Sequence, residues 1–376
     1  MKVLHITNEF TKKNFSISSL IIYISSHLNI NYKVNYSILT SFHDQALFVS
    51  SKINLINFNS WLQYFDKKKL IKIFEDYKVI HIHGIWAPIQ LISLLVCINL
   101  KKSCIVHPHG MFLDEAVKSA GIIKYVLKKF SLFCLKYLIS YNIRFISITN
   151  QETAAIKKYF PTSKVNEISN PIPFDINSVE QVKDKKIVYF GRIHPHKNLE
   201  LVIDSFVNSN ISNEWQLEIY GIRDDENYYD KLKKKIHNYS NIHIKDPIFG
   251  EKKQKVMKES WLNILVSKSE VLSLSILESG LFGLPSLVNE EIEIKKGLEK
   301  TIIFTKPSTI DISKKIEEIS HWTLEKRNLV EIEVINSAKE ATSILEISRK
   351  YNEAYSAIEE EQVTFGEDIY KTGQVF

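Results

Sequence analysis

The stretch YFGRIHPHKNLELVIDSF, residues 189–206, combines a strand pattern with a helix pattern. It reads as a buried strand followed by a glycine, an arginine and a short loop, and then by a lysine before a helix that opens at Asn198. Arg192 and Lys197 bring two cations beside the start of this helix, where backbone N–H groups and the helix dipole favour an anion. A pyrophosphate fits this arrangement. From this stretch alone, an ordinary basic turn between strand and helix is an equally good interpretation.

Short β-rich runs alternate with helix-period segments on both sides of this stretch, which is the pattern of parallel βαβ units. A polar, proline-containing segment interrupts the alternation and predicts a linker. We therefore predict an α/β protein with two Rossmann-like, doubly wound domains that face each other across a cleft. The predicted boundaries are 1–170 for the first domain, 171–186 for the linker, 187–335 for the second domain, 336–358 for a helix that could cross back to the first domain, and 359–376 for a tail.

Composition and motifs exclude several classes of protein. The net charge of +6 over 376 residues is modest, and neither an aromatic-rich RNA-binding motif nor zinc-finger spacing is present, which argues against nucleic acid as a partner. The absence of GxGxxG and GxxxxGK removes the main support for dinucleotide-dependent oxidoreductases and P-loop enzymes. The apolar runs are too short to span a membrane, and the amino terminus lacks the features of a secretory signal. We therefore expect a cytoplasmic protein.

The motifs HIHG, HPHG and HPHK place three pairs of histidines near strand ends and raise the possibility of zinc. For His194 and His196 we favour a loop-shaping role, because the neighbouring cations would repel a divalent metal and no carboxylate lies nearby in the sequence. His81 and His83 share one strand face and could form a metal pair, but a packed or hydrogen-bonded role is favoured. His109 is the histidine that we favour for a functional role.

A second stretch, SKSEVLSLSILESGLFGLPSLV at residues 267–288, carries two glutamates eight residues apart. Glu270 is expected in a loop after a strand, and Glu278 in the first turns of a helix that begins near Ser275. One carboxylate on a helix and one on the preceding loop can each bind hydroxyl groups of a polyol. The spacing alone is weak evidence, because acidic residues near helix starts are common for capping reasons.

Together, these stretches resemble the carboxyl-terminal domain of retaining GT-B glycosyltransferases of family 4. The segments VIHIHGIW, VHPHGMF and VNEISNPIP are similar to strand ends of the first domain and to the approach to the linker. The resemblance extends over roughly residues 1–358. It is nearest to the bacterial surface-polysaccharide branch, in which an HGM segment precedes a basic helix.

The resemblance implies roles for individual residues. Arg192 and Lys197 would bind the donor diphosphate, and Glu278 would contact the nucleotide ribose. Glu270 would face the donor sugar, and His109 would lie near the sugar and the acceptor as the second catalytic candidate. Asn170 would have a structural role at the start of the linker. Further contacts with the sugar or its loop are expected from Ser273, Leu274 and Gly110.

The implied activity is transfer of a sugar, with retention, from a nucleotide diphosphate-sugar to a saccharide, with a lipid-linked acceptor favoured. The biological setting would be bacterial lipopolysaccharide O-antigen or capsule synthesis, without a cofactor or metal. The lysine-rich, apolar segment 117–139 predicts either peripheral contact with the inner membrane face or a core helix with snorkelling lysines.

Two departures from the family pattern leave other activities open. The stretch TKKNFSISS replaces a Gly-Gly loop, and EVLSLSILE lacks the usual glycines between the paired glutamates. Bulkier side chains limit the approach of backbone amides to a ligand. A non-catalytic GT-B scaffold is therefore one alternative, and a sugar-nucleotide epimerase or hydrolase of the same fold is another.

Overall fold

The structure, a computed structural model, describes residues 1–11, 15–43, 54–58, 66–118, 122–139, 143–171, 183–268, 270, 274–292 and 297–372. Its contacts divide the chain into two compact units. The first consists of Met1–Pro173 and Ser343–Phe376, and the second of Phe174–Thr342. Each unit contains one parallel sheet flanked by helices, which confirms the predicted doubly wound α/β class.

The sheet of the first unit has seven parallel strands in the order β3-β2-β1-β4-β5-β6-β7. Its central strands are buried along their whole length, as expected for strands covered on both faces. The strands are β1 Lys2–Phe10, β2 Asn35–His43, β3 Asn54–Asn57, β4 Val79–His83, β5 Cys104–His107, β6 Ile143–Ser147 and β7 Lys164–Glu167.

Helices cover both faces of this sheet. One face packs against side chains such as Leu70, Leu94, Leu132 and Ile156, which come from four different helices. Local sequence starts these helices: Pro88 stands at a first helical position, where its missing N–H costs nothing. The helices that precede the second unit are α1 Phe15–Tyr32, α2 Lys67–Glu75, α3 Pro88–Asn99, α4 Asp114–Lys118, α5 Ile122–Leu138 and α6 Asn150–Tyr159.

The sheet of the second unit has six parallel strands in the order β10-β9-β8-β11-β12-β13. This order reverses beside β8, so the loops that follow β8 and β11 lie at the switch point where doubly wound sheets bind ligands. The strands are β8 Lys186–Phe190, β9 Gln216–Tyr220, β10 Ile242–Lys245, β11 Leu262–Leu265, β12 Ser286–Asn289 and β13 Ile302–Thr305. The helices are α7 Leu199–Val207, α8 Glu226–Ile236, α9 Gly250–Glu259, α10 Leu274–Leu281, α11 Thr309–Ser320 and α12 Leu324–Ala341.

The carboxyl-terminal helical segment differs from its prediction. Instead of one helix over 336–358, α12 ends at Ala341 and a second helix, α13, covers Ile344–Thr372 and most of the segment assigned to a tail. At the break, the Thr342 hydroxyl donates to the Ala338 carbonyl of α12 at 2.7 Å, and the Ser343 carbonyl accepts from Ile347 N–H of α13 at 2.9 Å. Helix α13 packs against α1 and covers the second face of the first sheet.

Candidate active site

The loop after β8 contains a short turn that the side chain of His194 caps. Pro195–Lys197 forms a single 3-10 turn, and the His194 ring caps it by accepting a hydrogen bond from His196 N–H at 3.2 Å. Asn198 then adopts a left-handed conformation with φ 55°, which asparagine tolerates better than most residues. The backbone N–H of Lys268 donates to the His196 carbonyl at 2.9 Å and thereby joins this loop to the loop after β11.

Lys197 and Glu270, 73 residues apart in the chain, form an ion pair in this region. Their side chains are only 15% and 12% exposed, so the pair is largely shielded from solvent. The Ser267 hydroxyl donates to the same Glu270 oxygen, Oε1, at 2.9 Å. A lysine has three donors, so this arrangement leaves Lys197 able to bind a further anion.

Arg192 lies at the exposed side of the same loop. Its side chain is 62% exposed and its guanidinium donates to Asp224, at the carboxyl end of β9, at 2.9 Å. The hydroxyl of buried Tyr189 donates to the Arg192 carbonyl at 2.9 Å. Burial raises the pKa of this hydroxyl well above its ordinary value, the charge of Glu270 raises it further and the charge of Arg192 opposes that rise. Arg192 and Glu270 are therefore both near the same hydroxyl.

Asp224 corrects one premise of the sequence interpretation. We expected no carboxylate near the His194–His196 pair. Burial lowers the pKa of His194, but the charge of Asp224 acts on this ring in the opposite direction, so a carboxylate does lie close by. The loop-shaping role of His194 is nevertheless the one that the structure supports, because its Nδ1 is occupied by the backbone of the turn.

Glu278 lies in the second turn of α10 and is 7% exposed. Lys253 from α9 forms an ion pair with its Oε2 and also lies over the Phe190 ring, with Nζ 5.4 Å from the ring centroid. The prediction of a helix beginning near Ser275 is confirmed, since α10 begins at Leu274. Ser273, predicted as a sugar or loop contact, lies outside the described residues, whereas Leu274 is half-buried.

The start of α7 departs from the expected anion site. Backbone N–H groups at this helix start were predicted to face a pyrophosphate. In the structure the Glu200 N–H donates instead to the Tyr228 hydroxyl at 3.3 Å, and Asn198 makes no side-chain capping bond there. The cationic side chains of the loop, rather than this N–H, are therefore the groups available to an anion.

In the first unit, His109 and Gly110 form a turn in which both have positive φ, 53° and 82°. Gly110 adopts this conformation at little cost, whereas His109 needs support from its surroundings. Glu152 supplies that support: one carboxylate oxygen accepts from Gly110 N–H and the other from Ile148 N–H at 2.8 Å. Burial raises the pKa of Glu152 to about 7, although both hydrogen bonds act to lower it.

The His109 ring is uncharged at neutral pH, because burial lowers its pKa to about 3. It stacks on His107 with centroids 3.8 Å apart and shares a 3.1 Å hydrogen bond with His83. A neutral imidazole in this position can exchange hydrogen bonds with a hydroxyl group. Asn170 is buried, which is compatible with the structural role expected for it.

Three residues that shape these sites were not singled out in the sequence: Glu152, Asp224 and Lys253. The sequence around these residues gives only a weak indication of their roles. Asp224 stands in the polar run after LEIYG, and Lys253 stands in the basic run EKKQKVMK of α9. Neither run indicates which charged residue its side chains will meet.

Comparison with known proteins identifies the second unit. Residues 173–331 match the family model described as glycosyl transferases group 1. Most of the second unit therefore has the sequence pattern of glycosyl transferases group 1. The activity class of the protein is therefore that of a transferase. No curated protein matches the chain.

Several solved structures resemble the chain over nearly its whole length. Anabaena Alr3699/HepE in complex with UDP and glucose has a TM-score of 0.75 at 13% identity, covering 95% of this chain and 100% of that one. A glycosyltransferase from Rickettsia africae has a TM-score of 0.73 at 14% identity, with coverages of 95% and 98%. WaaG, involved in lipopolysaccharide biosynthesis, has a TM-score of 0.65 at 12% identity, with coverages of 95% and 99%. At these identities the likeness establishes the fold, the two-domain α/β GT-B fold.

Proposed function

We propose that the protein transfers a sugar from a nucleoside diphosphate-sugar to a saccharide acceptor, with retention of configuration at the anomeric carbon. As in the family 4 enzymes that the sequence resembles, the setting would be synthesis of a bacterial surface polysaccharide, either lipopolysaccharide O-antigen or capsule. The acceptor would be lipid-linked and the enzyme cytoplasmic, in peripheral contact with the inner membrane face.

One observation carries this proposal. Charged side chains follow the carboxyl ends of three neighbouring parallel strands, β9, β8 and β11, inside the region that matches glycosyl transferases group 1. They are Asp224, Arg192 with Lys197, and Glu270, and their ion pairs are Arg192–Asp224 and Lys197–Glu270. Cations and carboxylates at this edge match a ligand that combines a diphosphate with hydroxyl groups.

Each residue has a distinct role in this proposal. Lys197 and Arg192 bind the diphosphate and stabilise the negative charge that develops on it as the glycosidic bond breaks. Glu270 orients the donor sugar, and Glu278 accepts a hydrogen bond from the ribose. The departing phosphate takes the proton of the attacking hydroxyl, so the step requires no protein base. His109, as a neutral imidazole, hydrogen-bonds to hydroxyl groups of the sugar or the acceptor.

We propose that the donor site works without a metal. A nucleoside diphosphate-sugar has two negative charges on its diphosphate, and Arg192 and Lys197 together supply two positive charges at the expected position. Arginine adds a forked pair of donors and lysine a mobile point charge, which is the combination that many metal-independent phosphate sites use.

The membrane part of the proposal rests on helix α5. Leu132 and Leu135 bury one side of α5 in the first unit, but a second apolar face is exposed, which is contrary to the alternative of a core helix. Lys124 and Lys136 are exposed on the same helix. An exposed apolar face flanked by lysines suits an anionic lipid surface. The exposed apolar residues are Ile123, Val126, Leu127, Phe130, Phe133, Tyr137 and Leu138. Within the described residues, no helix is long and apolar enough to cross a membrane.

Donor binding is the first test. The melting temperature is measured with UDP-, GDP- and ADP-sugars for the wild type, Lys197→Ala and Glu278→Gln. A ligand at a hundredfold excess over its Kd stabilises by about 2.7 kcal/mol. Losing one charge-assisted hydrogen bond should weaken donor binding by roughly 10- to 100-fold. Lys185→Ala is the matched control, because Lys185 forms an exposed ion pair with Glu214 at the amino-terminal ends of β8 and β9, opposite the edge that carries the proposed site.

Product analysis then separates the proposed transfer from its alternatives. NMR of the anomeric centre should report the same configuration in donor and product. A donor that binds but is never consumed, whatever acceptor is offered, would support the scaffold. Release of nucleotide or conversion of the sugar without an acceptor would support a hydrolase or an epimerase. Failure of every nucleotide sugar to bind would contradict the proposal as a whole.

The membrane contact has its own test. The protein should sediment with vesicles that contain anionic phosphatidylglycerol and much less with neutral phosphatidylcholine vesicles. Phe130→Glu with Phe133→Glu should abolish sedimentation, whereas Leu329→Glu should not, because Leu329 is equally exposed but lies on α12. Equal sedimentation of the wild type and the double variant would contradict a role for α5.

A further inference from the structure

Strand register concentrates five histidines at one place in the first unit. In the β1–β4 ladder His5 lies beside His81, and in the β4–β5 ladder His83 lies beside His107. His81 and His83 are two residues apart and so project from the same face of the sheet. His109 follows β5 and stacks on His107. The sequence revealed only the pairs within single strands.

Three of these histidines, His5, His81 and His83, are arranged like metal ligands. One ring nitrogen from each lies within 4.8 Å of the other two. Nδ1 of His5 and Nε2 of His83 are 2.9 Å apart. Zinc–nitrogen bonds of 2.0–2.1 Å at a tetrahedral angle separate two ligand nitrogens by about 3.3 Å. Small adjustments would therefore bring these nitrogens to a common ion.

The second nitrogen of each ring is held by a partner. His5 Nε2 is 3.1 Å from the Ser25 hydroxyl, and His81 Nδ1 is 2.8 Å from the Tyr355 hydroxyl. His83 Nδ1 is 3.1 Å from His109 Nε2. Metal-binding histidines typically have this arrangement, in which a hydrogen bond to the remote nitrogen fixes both the tautomer and the ring orientation.

Burial leaves one ligand nitrogen without a partner. His5, His81 and His83 are each at most 2% exposed. Among the described residues, no hydrogen-bond partner reaches Nε2 of His81. An unsatisfied buried polar atom costs about 1–3 kcal/mol, and a metal ion would remove this cost. Uncharged imidazoles are also the form that a metal requires.

We propose that His5, His81 and His83 bind a divalent transition-metal ion through Nδ1, Nε2 and Nε2. Three imidazoles without a thiolate suit zinc, and also cobalt, nickel or copper. His83, His107 and His109 form a second possible triad. It is the weaker candidate, because the Tyr351 hydroxyl is 3.5 Å from His107 Nδ1 and His109 is partly exposed. The two triads share His83, so one neutral His83 can serve only one of them.

Such a site would have a structural role separate from the proposed donor site. It would join β1 to β4, and the His81–Tyr355 hydrogen bond would connect it to α13. Metal binding here departs from our expectation that the chain holds no metal. That expectation followed from the family resemblance, and it considered His81 and His83 only as a pair, whereas the third ligand comes from the neighbouring strand.

Metal content of the full-length chain tests the proposal. Protein purified from zinc-supplemented medium without an affinity tag should contain about one metal ion per chain by mass spectrometry. After the metal is removed with a chelator, Zn²⁺ should raise the melting temperature and Co²⁺ should give visible d–d absorption. A wild-type chain that contains no metal, and that responds to none of Zn²⁺, Co²⁺, Ni²⁺ and Cu²⁺, overturns the proposal.

Shape-conserving variants test the ligands. His5→Gln keeps a polar atom for Ser25, and His81→Asn keeps one for Tyr355, but each lacks the proposed ligand nitrogen. Both should lose the bound metal. His196→Asn, which disrupts the histidine pair of the second unit, should retain it. Retention of the metal by His5→Gln together with its loss from His107→Asn would overturn the assignment to this triad.

A further variant keeps the proposal testable if the ligand variants fail to fold. Tyr355→Phe removes only the hydroxyl that is bonded to His81 and should weaken metal affinity by about 10- to 100-fold while the far-ultraviolet circular dichroism stays unchanged. A folded Tyr355→Phe protein with wild-type affinity for Zn²⁺ would contradict the proposed arrangement.

Discussion

Replacing Glu152 by glutamine should destabilise the protein in a way that depends on pH. The carboxyl group of Glu152 accepts two backbone N–H groups, from Gly110 and Ile148, and is completely buried. A glutamine has one acceptor oxygen, so one N–H would face the NH₂ group of the amide. In acid, where the wild-type carboxyl is protonated, the variant should be less stable by about 1–3 kcal/mol.

The penalty should shrink as pH rises, because the wild type itself becomes less stable. Burial raises the pKa of Glu152 from 4.5 to about 7, so the folded protein retains a proton that the unfolded chain releases between these values. The stability contributed by this group is complete below pH 4.5 and is lost as pH rises to 7, by about 3 kcal/mol in total. Between pH 5 and pH 7.5 the loss is about 2 kcal/mol, which is similar to the cost of the substitution.

Urea unfolding of both proteins at pH 5, 6 and 7.5, followed by circular dichroism with EDTA present, measures this difference. Titration of the histidines contributes to both proteins and largely cancels in the comparison. The stability deficit of Glu152→Gln should be largest at pH 5 and close to zero at pH 7.5. Glu325→Gln, at an exposed position on α12, is the control and should show no such trend. A deficit for Glu152→Gln that stays constant or grows with pH would refute the reasoning.

Three further substitutions should change stability in the second unit, as measured by thermal or urea unfolding. Gly283→Ala should cost about 1–3 kcal/mol, because Gly283 has φ 69° and an added Cβ would lie 2.3 Å from Glu331 Cγ. A cost below measurement error would contradict this. Arg327→Ala should cost about 3–5 kcal/mol, because Arg327 is fully buried and is bonded to Glu331 at 3.4 Å. An unchanged free energy of unfolding would contradict this, because it would mean that the cost of burying Arg327 cancels the benefit of its contacts. Asn198→Ala should lower the free energy of unfolding by about 1 kcal/mol, and Asn198→Gly by less, because the backbone at this position has φ 55°. A larger loss for the glycine variant than for the alanine variant would rule out backbone strain as the cause.

The fold was largely predictable from sequence because the strands at the centre of each sheet are nearly continuous apolar runs. Strands such as VIHIH and KIVYF are buried on both faces and are separated by helix-period segments. The apolar pattern is weaker in the strands Asn54–Asn57, Lys164–Glu167 and Ile302–Thr305, each four residues long. Two of them are polar in part, and all three lie at sheet edges, where half-burial weakens the apolar pattern.

The contacts of the site could not be read from the sequence in the same way. Two stretches of sequence and their resemblance to family 4 glycosyltransferases indicated Arg192, Lys197, Glu270 and Glu278 as candidates. Their partners come from other elements: Asp224 follows β9, and Lys253 belongs to α9. The distances along the chain are 32 residues for Arg192–Asp224 and 25 for Lys253–Glu278. The order of strands in the sheet and the packing of helices determine these pairings.

These pairings have a consequence for donor binding. Lys197 and Glu278 are both largely buried and both already have an oppositely charged partner. A buried charge without a partner would cost several kcal/mol, so the ion pairs make burial of these groups possible before a ligand arrives. A diphosphate need not displace Glu270 from Lys197, since an ammonium group can bind two acceptors at once. The positions of the charges are therefore fixed in advance, and binding energy is not spent on ordering them. On this reasoning Lys253→Met should weaken donor binding through Glu278 even though Lys253 itself has no assigned ligand contact.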